Sequence, residues 1–72
     1  MTSPVTSLEA ARRRKGFSRE HVARELRISA KTVERHERRR TPVKLFQLER
    51  YAALYAVEPA SLLDMLEVEA VA

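Results

Sequence analysis

The side chains best equipped for chemistry in this sequence are cations. At about 100° per residue, Lys31, Arg35 and Arg38 share one side of a helix at spacing i, i+4, i+7. Val33, His36 and Glu37 fall on the opposite side. Lys31 and Arg35 are like charges one turn apart, which costs roughly a few tenths of a kcal/mol in an isolated helix. A row of phosphates or guanine edges opposite them would offset that cost. A solvated polar face is the plain alternative. Arg39 and Arg40 extend the row, and Lys44 follows in the next segment. This run also fits simple compensation of a helix dipole at its C-terminus. Arginine outnumbers lysine 11 to 3. That ratio favours bidentate phosphate and guanine contacts, and equally fits a GC-rich genome.

Other reactive groups are sparse. Cysteine is absent, so disulfides and cysteine metal sites are ruled out. His21 and His36 lie on different expected helices with no cysteine nearby, so a zinc site is unsupported. His36, on an otherwise apolar face, reads as a hydrogen-bonded core residue. The sequence holds no glycine-rich phosphate loop and offers no pocket for a cofactor. Neither catalysis nor a metal nor a cofactor is therefore expected.

Seventy-two residues suit one domain with a thin core. Hydrophobic residues at 44% and charged ones at 33% mark a folded rather than a disordered chain. No run approaches the roughly 18 apolar residues of a membrane span, and no signal-peptide pattern opens the chain. The expected setting is the cytoplasm. The net charge of +4 is unevenly spread. All 14 Lys and Arg lie between Arg12 and Arg50 with five acids among them, a local +9. The last 22 residues carry only Glu58, Asp64, Glu67 and Glu69, a local −4. The middle therefore suits a polyanion and the closing segment does not.

The elements that must position these charges read as short helices with abrupt joints. Ser3-Pro4 and the pair Thr6/Glu9 are competing start signals for a first helix carrying Val5, Leu8 and Ala11. Gly16 ends that helix after Lys15. Ser18 caps a second helix with Val22, Ala23 and Leu26 as its apolar stripe. Arg27-Ile28-Ser29 is a three-residue turn with Ile28 as a buried plug. Ser29 caps a third helix, Ala30 to about Arg38. A fourth helix spans about Lys44 to Ala56 with Leu45, Leu48, Tyr51, Ala52 and Tyr55 on one face. Pro59 opens a fifth, carrying Leu62, Leu63 and Leu66. The domain is expected over residues 1–67, with 68–72 fraying. Two short helices around a three-residue turn form the helix-turn-helix layout.

The ordered set of pieces resembles the Cro/phage-repressor (XRE-type) helix-turn-helix family from about Leu8 to Leu63. Its carriers are Leu8, Arg12, Lys15-Gly16-Phe17-Ser18, Val22-Ala23, Leu26 and Ile28-Ser29. Thr32-Val33, Arg35, Glu37-Arg38 and Pro42 continue it, and Tyr51 to Val57 with Leu62-Leu63 close it. The resemblance implies an all-α fold, a compact five-helix lambda-repressor-like domain that binds double-stranded DNA. It assigns base reading in the major groove to Ala30, Lys31, Glu34 and Arg35. Lys31 and Arg35 have the donors for guanine O6 and N7, and Ala30 offers only contact with a thymine methyl. Glu34 suits a cytosine amine, or a pair with Arg38. Arg19, Arg38, Arg39, Arg40 and Lys44 are the implied phosphate contacts. Arg12 and Glu37 are implied to form a partly buried ion pair between the first and third helices.

Three positions depart from the family pattern. Arg27 and Arg39 stand where glycines are usual, and His36 stands where an apolar residue is usual. The stretch Ile28 to His36 also resembles the recognition segment of LuxR-type domains, a local likeness that again implies DNA binding. The function expected is a sequence-specific transcriptional regulator, a repressor acting as a homodimer on a palindromic operator. Leu62, Leu63 and Leu66 are the candidate dimer interface, or merely close the monomer core. The competing expectation is a protein-interaction module, such as an antitoxin, an adaptor or an RNA polymerase-binding factor, that uses the basic face.

Overall fold

A computed structural model describes residues 5–66. Four α-helices and a closing 3-10 helix follow in order: α1 Ser7–Lys15, α2 Arg19–Leu26, α3 Ala30–Glu37, α4 Leu45–Tyr55, then Pro59–Met65. The fold is all-α, as the sequence indicates. Among the described residues the sole strand-like feature is an isolated parallel bridge between Val43 and Leu66. The expected frayed tail and the Ser3-Pro4 start signal lie outside the described residues.

Local chemistry sets most boundaries. Thr6, Ser18 and Ser29 each accept a hydrogen bond from the backbone N–H three residues on, capping α1, α2 and α3. At α4 the cap works the other way, with the Lys44 N–H donating to Gln47 Oε1 at 3.1 Å. Gly16, Arg27 and Ala56 end α1, α2 and α4 in the left-handed conformation. Arg39, just beyond α3, is left-handed too, with φ 58°. The two arginines thus adopt a conformation that glycine takes without a Cβ penalty.

The core is built from one face of every helix. Leu8 and Ala11, Val22, Ala23 and Leu26, Val33, Leu48, Tyr51, Ala52 and Tyr55, and finally Leu62 and Met65 are buried together with Val43. Ile28 packs against this cluster from the turn, only partly buried. Two expectations need correction. Leu45, placed on the apolar face of α4, is 58% exposed, and the buried face begins one turn later at Leu48. The last helix has three residues per turn, so Leu62 and Met65 share its inner face. Leu63 is pushed outward, 49% exposed, and Leu66 is only half-buried.

Candidate nucleic-acid interface

Helix α3 is fixed to the protein by one side. Val33, His36 and Glu37 are buried beneath it. The His36 ring lies 2.8 Å through Nδ1 from Tyr51 Oη, a hydrogen bond between two buried groups. Burial holds the His36 imidazole below its ordinary range, and pushes the Tyr51 phenol above its own. His36 is thus a neutral, hydrogen-bonded core residue. Among the described residues no cluster of His, Cys, Asp or Glu could hold a metal ion.

Glu37 is the charged hub of this inner face. Its side chain is 0% exposed. Arg12 Nε donates to Glu37 Oε2 at 2.6 Å, and Arg19 Nε donates to Oε1 at 2.9 Å. Arg12 also bonds the Phe17 carbonyl at 2.9 Å, which pins the joint between α1 and α2. A carboxylate taken out of water needs such partners, since desolvation of a lone charge costs several kcal/mol. The Arg12–Glu37 geometry is that of an ion pair between α1 and α3.

Arg19, one of the implied phosphate contacts, is engaged within the protein. Its guanidinium turns inward to Glu37, and Nη1 reaches Glu34 at 3.5 Å. The hydrogen bond to Glu37 raises the Arg19 pKa, against a smaller opposing effect of burial. The charge is therefore locked on and largely neutralised. Local spacing does not signal this pairing across 18 residues, and the resemblance assigns Arg19 to phosphate instead.

The outward side of α3 carries Lys31, Arg35 and Arg38, all exposed. Arg35 and Arg38 make no ion pair among the described residues, nor do Arg40 and Lys44 in the following loop. Glu34 sits beside this row. Its carboxylate lies 3.7 Å from Lys31 Nζ and faces Arg19 rather than Arg38. Ala30 packs partly against the core, which leaves little of it to touch a base. Arg39 is diverted: its Nη2 donates to Asp64 Oδ2 at 2.8 Å, tying the loop to the closing segment. Lys44 occupies the N-cap of α4, where a cation faces the positive end of the helix dipole. An anion bound there would relieve that conflict.

The arrangement is a short helix anchored by a buried face and capped by Ser29, presenting separated cations at a spacing of about one turn. Such a surface has the charge and spacing to complement a groove lined by phosphates and base edges. Of the nine residues implied for DNA contact, the structure leaves Lys31, Arg35, Arg38, Arg40 and Lys44 exposed, Lys31 with the Glu34 carboxylate 3.7 Å away. It commits Arg19 and Arg39 to carboxylates, leaves Glu34 between two cations and half-hides Ala30. Leu62, expected at a dimer interface, is 1% exposed inside the core and is unavailable to a partner without unfolding.

A family model described as a helix-turn-helix domain matches residues 6–66. No curated protein and no solved structure matches the chain. The family match covers the caps, the three-residue turn and the closing segment together, and agrees with the Cro/phage-repressor resemblance: this chain belongs to the helix-turn-helix domain family.

Proposed function

We propose that the chain is a sequence-specific double-stranded DNA-binding transcriptional regulator, a repressor that acts as a homodimer on a palindromic operator. The reading rests on one observation above all. The inner face of α3 is closed into the core while Lys31, Arg35 and Arg38 stand exposed on its outer face. In this reading α3 lies in the major groove. Lys31 and Arg35 read guanine, with Glu34 and Ala30 as flanking base contacts. Arg38, Arg40 and Lys44 hold phosphates. Arg19 and Arg39 contribute only the N–H groups their carboxylate partners leave over. The protein then sits with the nucleoid in the cytoplasm.

A second copy is invoked because one helix of eight residues reaches only a few base pairs. Two-fold pairing doubles the site and imposes half-sites about one turn apart. Leu63 is the leucine of the closing segment with substantial free surface for that purpose.

Selection of bound DNA from a random pool tests the reading. An enriched palindrome with guanine in each half-site is expected. Lys31→Ala and Arg35→Ala should flatten the enriched motif. Arg40→Ala should weaken all sequences alike and reduce the salt slope by about 0.9, the value for one phosphate contact. The alternative is an interaction module (antitoxin, adaptor or RNA polymerase-binding factor), favoured by the engagement of Arg19 and Arg39 with carboxylates of the chain itself. Equal binding of every sequence, or none at moderate salt, would select it.

A further inference from the structure

The surface holds an apolar groove away from the outer face of α3. It is walled by Leu26 at the end of α2, Arg27 and Ile28 in the turn, and Phe46, Gln47, Arg50 and Tyr51 of α4, with a volume of about 280 Å³. Phe46 is 57% exposed at its edge, and its neighbour Leu45 is 58% exposed. Two consecutive large apolar side chains on a surface this small cost hydration in the isolated chain, and such patches mark interaction sites. The groove is slightly smaller than a typical small-molecule pocket of roughly 300–1,000 Å³. It has room for one or two bulky side chains.

The rim decides what kind of chain would bring them. Arg27 and Arg50 are both exposed, and neither forms an ion pair among the described residues. Both belong to the +9 middle of the sequence. Carboxylates flanking an apolar anchor match this pattern, with the anchor on Leu26, Ile28 and the Phe46 ring. A nucleic-acid backbone does not, since phosphates need donors along the floor and this floor is apolar. We propose that the groove docks a short acidic segment of a partner protein through one aliphatic or aromatic anchor. The site uses α2, the turn and α4, and its lining includes none of the residues proposed for DNA contact.

The probe is a fluorescein-labelled peptide, Asp-Glu-Leu-Phe-Asp-Glu, titrated into the whole chain and followed by anisotropy and by backbone amide shifts. Two peptides accompany it: one with alanines for Leu-Phe, and one with lysines for the acids. The expected result is saturable binding with shifts centred on residues 26–28 and 46–51, and at least tenfold weaker binding of both accompanying peptides. Phe46→Ala should weaken binding by tenfold or more and leave the melting temperature and DNA affinity within error, because that ring is largely exposed. Arg50→Ala should weaken it severalfold. Equal binding of the alanine peptide, shifts spread over the whole basic surface, or indifference to Phe46→Ala would overturn the proposal. Concentration-dependent self-association abolished by Phe46→Ala would also overturn it, by naming a second copy as the occupant.

Discussion

Replacing Arg27 with glycine should stabilise the protein. Arg27 ends α2 with φ 58° and ψ 45°, and its N–H bonds back to the carbonyls of Ala23 and Arg24. Glycine keeps that backbone and both bonds. For a residue with a Cβ, the left-handed conformation costs roughly 1–2 kcal/mol. Glycine loses more freedom on folding, a penalty of about 0.4–1 kcal/mol relative to alanine. The Arg27 stem also covers part of an apolar groove, so a few tenths of a kcal/mol more is lost there, about a third of one buried methylene. At mid-range values the balance is a gain of about 0.5 kcal/mol. For a domain of 60–100 residues that corresponds to a rise in melting temperature of roughly 2–4 °C. Removing a cation from a +9 region could raise stability by itself, so Arg27→Ala is the necessary companion: it discards the charge and retains the strained φ. Thermal unfolding followed by circular dichroism at two salt concentrations reads all three proteins. The reasoning fails if Arg27→Gly melts at or below the parent temperature. It also fails if Arg27→Ala gains as much as the glycine variant, because the effect would then be electrostatic.

Three further outcomes are expected. Arg12→Gln and Arg19→Gln should each be buffered by the other arginine, whereas the double variant strands the buried Glu37 carboxylate and costs about 3–5 kcal/mol. Against a total stability near 4–11 kcal/mol for 72 residues, urea titration should show strong non-additivity; additive losses would refute the shared hub. His36 is held neutral by burial, so as pH falls the unfolded chain takes up its proton first, near 6.5. Its contribution should be complete above that pH and be lost as pH drops below 6.5 toward the lowered folded value. His36→Gln should flatten the stability profile between about pH 7 and 5, and an unchanged slope would reject this assignment. Finally, Tyr55 Oη is buried without a hydrogen-bond partner among the described residues, while Tyr51 Oη bonds His36. Tyr55→Phe should therefore be neutral or stabilising, and Tyr51→Phe should cost about 1–3 kcal/mol by leaving the imidazole unpaired. Equal losses in the two would contradict that difference.

Particular residues show why some of this was legible beforehand. Ser18, Ser29 and Gly16 act on groups within three or four residues of themselves, so the helix limits they set follow from the sequence. The two faces of α3 follow as well, since helical period alone separates Lys31, Arg35 and Arg38 from Val33, His36 and Glu37. The closing segment was harder to read. Leu62, Leu63 and Leu66 fit an α-helix, and only its packing as a 3-10 turn brings Met65 inward in place of Leu63.

By itself, then, the sequence determined the helix order, the caps, the turn and the outward row of cations. These depend on short-range hydrogen bonding and on the 3.6-residue period. The tertiary structure decided which of those cations remain free. Arg19 and Arg39 look equivalent to Arg38 and Arg40 along the chain. Yet Glu37 lies 18 residues from the first and Asp64 lies 25 from the second, and folding delivers a carboxylate to each. Charge is a property of a residue, but its availability depends on what the fold sets within about 3 Å of it.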